Sequence, residues 1–197
     1  YVAPDGSRLP SVTTVLDSFY GGKWAAWRKQ IGEEKAKEIL AKASSRGTKM
    51  HTICEKYLLG EDYKAKQMPD SLARFKTIQP IIDQNIDNIY CIEDALYSTS
   101  LGLAGSTDCI AEFNGVLSVI DFKTSSKWKS KEDIENYFVQ GTAYALMFNE
   151  MTGHKPQQIV LIFATDEGES FHYVEPITPE YIRKLLDIIK LYKAKQL

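Results

Sequence analysis

A β-hairpin signal lies in residues 108–123, which read DCIAEFNGVLSVIDFK. Asn114 and Gly115 suit a two-residue type I′ turn, because both central positions of that turn need positive φ angles. A two-residue loop fixes the register of its strands, and counting outward from it places Asp108 directly opposite Asp121. Two facing carboxylates repel each other, so this pairing predicts a divalent cation that neutralises them.

The acids and a nearby lysine meet the needs of phosphodiester hydrolysis. That reaction requires a metal to hold the phosphate and activate water, together with positive charge where the transition state gathers negative charge. Lys123 lies two residues beyond Asp121 and therefore points to the same face of the strand. The alternative is a surface hairpin whose acids and lysine form a weak ion network. Asp121 ends an apolar run, and buried acids seldom lack a partner, which favours the metal.

Composition indicates one globular domain, 1–197, with a mostly helical part (1–88) and a sheet core with flanking helices (89–197).

The net charge is −2, but residues 23–49 carry eight Lys or Arg against three Glu, and residues 50–122 carry eleven acids against five bases. This banding is typical of a nucleic-acid groove beside an acidic metal pocket, and the alternative is a set of solvated helix faces. Three scattered cysteines and the lack of a long apolar run or leader predict an intracellular protein.

Periodicity and capping signals predict an α/β fold. Helices are expected at about 11–20 (ending at Gly21-Gly22), 23–43, 45–59, 71–86 (which Pro80 can interrupt), 131–151 and from Thr178 onward, and strands at about 89–98, 103–113, 116–124, 158–164 and 170–174. The expected architecture is a twisted mixed β-sheet flanked by helices, with the amino-terminal helices closing one side.

Several motifs resemble those of the PD-(D/E)XK nucleases. The split active-site motif of that superfamily is similar to Gly105-Ser-Thr-Asp108 followed by Asp121-Phe-Lys123-Thr-Ser. Further matches point to the RecB-like branch: Pro10-Ser-Val-Thr-Thr-Val-Leu16, Arg46-Gly-Thr-Lys-Met-His51 and Gln140-Gly-Thr-Ala-Tyr144, in the family's order. Within that branch the chain most resembles the mitochondrial genome maintenance exonucleases and related phage exonucleases. The resemblance implies a restriction-endonuclease-like core.

The resemblance also implies roles for residues. His51, Asp108, Asp121 and the Phe122 carbonyl would hold Mg²⁺ or Mn²⁺, and Lys123 would act on the attacking water and the phosphate. Asp121 stands where many members have glutamate, although Asp is common in this branch. The iron–sulfur members use four cysteines, so no Fe–S cluster is expected with three. Glu55, one helical turn after His51, is a candidate to orient the imidazole, and the alternative is a solvent ion pair with a neighbouring lysine.

The expected partner is DNA, preferentially single-stranded or with free ends. By resemblance, Gln140 and Tyr144 would steady Lys123 or touch the substrate backbone, against simple helix packing as the alternative. Trp24, Trp27 and Trp128 lie among lysines, an arrangement that grips single strands by stacking, although core packing is an alternative for at least one of them. The remaining candidate nucleic-acid contacts are Arg46, Lys49, Thr124, Ser125 and Lys127.

The predicted activity is that of a Mg²⁺- or Mn²⁺-dependent DNA exonuclease acting on single-stranded ends. Three alternatives remain open at this point. The first is a duplex end-processing or restriction-type nuclease with the same core, and the second is a DNA-binding module with an idle active site. The third is an interaction protein that does not bind nucleic acid.

Overall fold

The computed structural model describes residues 1–196, except for the side chains of Lys23 and Trp24. Its fold is α/β, as the sequence predicts. The helices are α1 (Val12–Ile31), α2 (Glu33–Leu58), α3 (Pro69–Asn85), α4 (Glu135–Thr152, preceded by a 3₁₀ turn at Glu132–Ile134) and α5 (Pro179–Ala194). The strands are β1 (Ile86–Ser98), β2 (Leu103–Phe113), β3 (Val116–Ser125), β4 (Gln158–Thr165) and β5 (Ser170–Pro176).

The five strands form one mixed sheet in chain order, β1-β2-β3-β4-β5. β3 and β4 are parallel, and the other neighbouring pairs are antiparallel. A parallel pair needs a crossover connection, and α4 supplies it. The catalytic candidates on β3 therefore lie near the middle of the sheet, with α4 above them.

Helices cover both faces of this sheet. On one face, α2 and α3 pack on the sheet through apolar side chains that include Met50, Phe75, Ile120 and Ile162. On the other face, α1, α4 and α5 pack together and against the sheet. The apolar stripes of the helices thus bury both faces of the sheet, and the expected sheet flanked by helices is confirmed. The expectation that the amino-terminal helices together close one side is wrong, because the apolar residues of α1 pack with α4 and α5, on the face opposite α2 and α3.

The central hairpin has the predicted turn, with φ angles of 53° at Asn114 and 74° at Gly115. The predicted register holds from Phe113↔Val116 to Cys109↔Ile120. The ladder ends there, one rung before the expected pairing of Asp108 with Asp121, and the two strands separate while β2 stays paired with β1 and β3 with β4. The two acids therefore lie at the mouth of a splayed hairpin, where a ligand can enter.

Several helix boundaries differ from the predictions. The helices expected at 23–43 and 45–59 are not separated near residue 44, because α2 continues without a break through that position. α1 continues through Gly21-Gly22, and the chain breaks at Gly32, whose φ of 89° suits glycine. Packing of Val12, Val15 and Leu16 outweighs the cost of about 1 kcal/mol for each glycine within the helix. α3 likewise continues past Pro80. In the described part of the chain, no helix has both the length and the apolar character needed to cross a bilayer.

Candidate active site

Three side chains from three elements converge beside the splayed hairpin. His51 of α2, Glu93 of β1 and Asp108 of β2 each offer a ligand atom, and these atoms lie within 4.8 Å of one another. His51 Nδ1 is 3.1 Å from Asp108 Oδ1 and 3.7 Å from Glu93 Oε1. The imidazole is about one-third exposed, so the group opens to solvent. One histidine nitrogen and two carboxylates on an accessible cleft form a donor set suited to a divalent cation.

Asp108 links this group to the catalytic strand. Its Oδ1 faces His51, while its Oδ2 accepts a hydrogen bond of 2.8 Å from the backbone N–H of Phe122. The carboxylate takes the place of a backbone acceptor at the point where the β2–β3 ladder ends. The separation of the strands is therefore stabilised by one of the two acids that the sequence predicts to lie there.

Asp121 and Lys123 form a buried ion pair on β3. Asp121 Oδ2 lies 2.6 Å from Lys123 Nζ, and the Asp121 residue is only 6% exposed. The ammonium also lies 4.5 Å from the ring centroid of Tyr137 on α4, a cation–π contact. Both side chains point to the α4 face, as the alternation of strand residues predicts. Of the residues that the structure describes, Asp121 is not a member of the group formed by His51, Glu93 and Asp108.

The acids around His51 favour its protonated form. Burial disfavours a charged imidazole, but hydrogen bonds to Asp108 and Glu93 and the nearby charge of Asp121 prevail and raise the pKa of His51 to about 10. In the metal-free protein at neutral pH, His51 therefore carries a proton and acts as the local counter-charge. A metal bound there would displace that proton.

The pKa values of the buried pair respond to the same surroundings. Burial raises the pKa of Asp121 to about 6, with the charge of Asp108 adding to the effect and Lys123 opposing it. Burial disfavours the charged form of Lys123, but the charges of Asp121 and Asp108 prevail and raise its pKa. At neutral pH both groups are therefore ionised, and a permanent positive charge lies beside the carboxylates.

The residues present fit a divalent cation. Asp121 Oδ2 is buried and accepts no well-aligned hydrogen bond from a described residue, although Lys123 Nζ lies close to it. Glu93 and Asp108 lie against one histidine, and Asp121 adds a third carboxylate on the neighbouring strand, which leaves more acceptor oxygens than the described donors satisfy. Hard cations such as Mg²⁺ take a few carboxylates and keep water at their other positions, which matches a sparse and partly open donor set.

α4 brings the predicted Tyr144, with its neighbour Gln140, against β2, whereas the contact of this helix with Lys123 is made by Tyr137. Gln140 Nε2 lies 3.2 Å from the Tyr144 hydroxyl, and Tyr144 is buried. The ring packs against Gly105 of β2: a β-carbon at that position would lie 2.9 Å from Tyr144 Cε1. Burial raises the pKa of Tyr144 to about 12. A glycine is therefore needed where α4 approaches the strand that carries Asp108.

The other predicted contacts occupy different environments. Lys127 and Trp128 are exposed, with the Trp128 ring 6.4 Å from that of Phe171. Ser125 is buried and donates to the Lys127 carbonyl, so the structure places its hydroxyl in a turn and not at the surface. Thr124 is half-buried. Glu55 lines the same cleft as His51 and Glu93, but Nδ1 of the imidazole faces Asp108 and Glu93.

Two basic residues were also predicted on α2. Lys49 is exposed, whereas Arg46 is partly buried and bonded to Asp166. The side chain of Trp24 lies outside the described residues. Trp27 lines a cavity of about 270 Å³ with Tyr20 and Tyr137. The predicted basic and aromatic residues therefore occupy separate environments and are not gathered in one stripe.

Sequence reasoning missed Glu93. It lies within β1 with a φ of 51°, a conformation that is uncommon for a residue other than glycine. In the β1–β2 register it falls between Ile92↔Cys109 and Asp94↔Thr107, next to Asp108, but it is not itself paired. No turn or motif signal marks this position in the sequence, because its role depends on the pairing of β1 with β2.

This geometry agrees with the sequence comparisons. Residues 73–193, more than half of the chain, match the PD-(D/E)XK nuclease superfamily, and the chain belongs to that superfamily. The matched range includes Asp108, Asp121 and Lys123, while His51 lies before it.

The chain is similar to curated proteins named mitochondrial genome maintenance exonuclease 1. The Xenopus tropicalis protein is 32% identical over 130 residues, covering 61% of this chain and 37% of the relative. The human protein is 27% identical over 179 residues, covering 83% of this chain and 51% of the relative. The chain thus spans about half, or less, of the length of these two relatives. A solved alkaline exonuclease from Laribacter hongkongensis aligns over 78% of this chain and 80% of its own, with 16% identity and a TM-score of 0.43.

Proposed function

We propose that this protein is a Mg²⁺- or Mn²⁺-dependent deoxyribonuclease, and most specifically an exonuclease that acts on single-stranded DNA ends inside the cell. The observation that carries the proposal is the convergence of His51, Asp108, Asp121 and Lys123 where the β2–β3 ladder opens. The names of the curated relatives support the exonuclease part. Membership of the nuclease superfamily supports the reaction class.

Each residue has a defined task in this proposal. His51, Asp108, Asp121 and the Phe122 carbonyl would hold the cation, and Glu93 adds a carboxylate that the sequence did not single out. When bound, the cation would lower the pKa of a water and neutralise phosphate oxygens. Lys123 keeps its proton and supplies positive charge where the pentacoordinate transition state gathers negative charge. Tyr137 lies against the ammonium and limits its movement.

Positive charge near the catalytic lysine supports a nucleic-acid substrate. Burial lowers the pKa of Lys129; the charge of Asp133 opposes this shift, and the charges of Lys123 and Arg46 add to it, so Lys129 lies within electrostatic reach of both cations. Such a cluster is stabilised when a phosphate lies between its members. Exposed Trp128 offers a stacking surface for a base without requiring a particular sequence, which favours single strands.

The test is digestion of 5′- and 3′-labelled single strands and matched duplexes, with Mg²⁺, Mn²⁺ or a chelator. We expect metal-dependent loss of single strands from their ends, and at least about 100-fold slower digestion by Lys123→Ala, because a preorganised positive charge is removed. Lys190→Ala, at an exposed position of α5, is the matched control and should leave the rate unchanged.

Each alternative gives a different result in the same assay. Preferential digestion of the duplex would replace the single-strand assignment with a duplex end-processing nuclease. DNA binding without cleavage in either metal, unaffected by Asp121→Asn, would leave only a binding module. Near-normal turnover by a folded Lys123→Ala variant would remove Lys123 from the mechanism.

A further inference from the structure

A basic pocket lies between α2 and α3, beside the metal-site cleft. Its volume is about 510 Å³, and its lining includes four cations, Lys42, Arg46, Lys49 and Arg74, with one carboxylate, Asp70. Ser45 and Ser71 add two hydroxyl groups to the lining. Hydroxyl and cationic donors around one cavity form the lining that a phosphate group requires.

The inner wall of this pocket is held by a shared carboxylate. Asp166, in the turn between β4 and β5, contacts Arg46 through Oδ2 at 2.6 Å and Arg74 through Oδ1 at 3.2 Å. The two guanidinium groups come from different helices, and the Arg74 side chain is only 12% exposed. The backbone N–H of Asp166 donates to the carbonyl of Ser125 at the end of β3. The bridge therefore fixes both arginines relative to the strand that carries Asp121 and Lys123.

Positive charge in the pocket exceeds what the protein neutralises. Four cations face three carboxylates, from Asp70, the bridging Asp166 and Glu38, which leaves an excess of one positive charge. The Nε groups of Arg46 and Arg74 are buried and donate to no described acceptor. Lys42 pairs with Glu38, but both side chains are mostly exposed, and such a pair contributes little.

We propose that this pocket binds a phosphodiester group of the DNA strand that enters the metal site, at a position away from the phosphate that is cleaved. Arg46 precedes His51 by five residues on α2, which is a rise of about 7.5 Å and a turn of about 140° around the helix axis, so the strand would pass over α2 between the metal site and the pocket. Arg74 and Asp166 are part of this site, with Asp166 acting as a positioning residue. The assignment rests on the proposed nuclease function, since it requires a strand whose scissile phosphate lies beside His51 and Asp121.

The first test compares two double variants of equal charge change. Lys42→Gln with Lys49→Gln removes two exposed cations of the pocket, while Arg183→Gln with Lys190→Gln removes two exposed cations of α5, on the opposite side of the sheet. Binding of a single-stranded oligonucleotide to the full chain is measured by fluorescence anisotropy without divalent metal, over a range of KCl. The pocket variant should raise Kd roughly tenfold at low salt and lower the salt slope by about 1.4, which is 0.7 for each lost contact. The α5 variant should match the wild type.

The second test addresses the inner wall. Arg74→Gln removes the guanidinium charge from the Asp166 bridge, and a thermal melt checks that the variant is folded. With Mg²⁺ and single-stranded DNA, we expect KM to rise roughly tenfold and kcat to stay within about twofold of the wild type, because a remote phosphate contact is lost while the metal site remains. Loss of kcat without a change in KM, in a folded variant, would show a structural role only and overturn the proposal.

The outcomes separate this inference from the proposed function. A wild type that binds DNA through the pocket but cleaves nothing in Mg²⁺ or Mn²⁺ contradicts the nuclease and supports the pocket. A wild type that cleaves DNA, with pocket variants equal to the α5 variant, contradicts the pocket and supports the nuclease. Strands with a 5′-hydroxyl should show the full pocket effect. An effect confined to 5′-phosphorylated strands, or abolished by inorganic phosphate at constant ionic strength, would overturn the assignment to an internal phosphodiester.

Discussion

Glu93 is a single residue that adds a ligand to the predicted metal centre. Its carboxylate lies 3.7 Å from His51 Nδ1, and its φ of 51° departs from the extended conformation of the rest of β1. Such a conformation costs of the order of 1–3 kcal/mol and persists where the surrounding structure enforces it. The backbone of β1 therefore departs from regular strand geometry where the Glu93 carboxylate meets the imidazole, and we infer that Glu93 holds metal directly or orients His51.

Glu93→Gln tests that role at the scale of one side chain. Because the amide keeps the shape but loses the charge that faces His51, we expect affinity for Mn²⁺ to fall by about 10–100-fold, measured by titration calorimetry. Glu61→Gln, at an exposed position after α2, is the control and should bind like the wild type. If Glu93→Gln bound Mn²⁺ with wild-type affinity, the Glu93 carboxylate would have no part in metal binding.

At the scale of the elements, the packing of α4 against β2 and β3 covers one side of the candidate active site. Tyr144 of α4 lies directly over Gly105 of β2, three residues before Asp108. The same helix places Tyr137 against Lys123. A shift of α4 would therefore move contacts to both active-site strands at once.

Two glycine substitutions should have opposite effects on stability. Gly105→Ala places a methyl group 2.9 Å from the Tyr144 ring and should destabilise the fold by about 1–3 kcal/mol. Gly47→Ala is the matched control, because no atom lies within 4 Å of the added carbon and alanine favours the helix by up to about 1 kcal/mol. Urea denaturation of both variants gives the comparison. Equal stabilities would mean that α4 adjusts freely above β2.

In the whole molecule, the candidate metal ligands come from one layer of helices and from three strands of the sheet. α2 supplies His51, β1 and β2 supply Glu93 and Asp108, and β3 supplies Asp121. A cation that binds this folded arrangement and not the unfolded chain stabilises the whole fold. At a concentration one hundred times its Kd, the gain is about 2.7 kcal/mol.

Metal-dependent stabilisation should therefore depend on pH. The pKa of His51 is raised to about 10, and a histidine must lose its proton to act as the proposed metal ligand, so affinity for metal should rise roughly tenfold per pH unit between about pH 7 and pH 9. Below about pH 6, Asp121 also takes up a proton, and the loss of affinity should become steeper. Thermal melts with Mn²⁺, compared with melts of Asp108→Asn at each pH, measure this effect. A Tm increase that is the same at every pH would contradict it.

The parts of this site that can be predicted from the sequence are those set by residues close together in the chain. The turn at Asn114-Gly115 and the alternation of strand residues lead to the register of the hairpin and to the shared face of Asp121 and Lys123. His51, Gln140 and Tyr144 followed from the family resemblance, and the structure brings them to the same region. These features depend on residues close in the chain or on motifs of fixed order.

The sequence by itself determined the fold class, the central hairpin and the lysine with two acids at its open end, because turn geometry and strand periodicity act over a few residues. Tertiary structure decided where the ladder ends, that Glu93 joins His51, that Asp166 bridges Arg46 and Arg74, and that α1 continues through Gly21-Gly22. Those features depend on contacts between segments that are distant in the chain. Packing and charge pairing across the fold stabilise these contacts, and the local propensities of the residues carry no information about them.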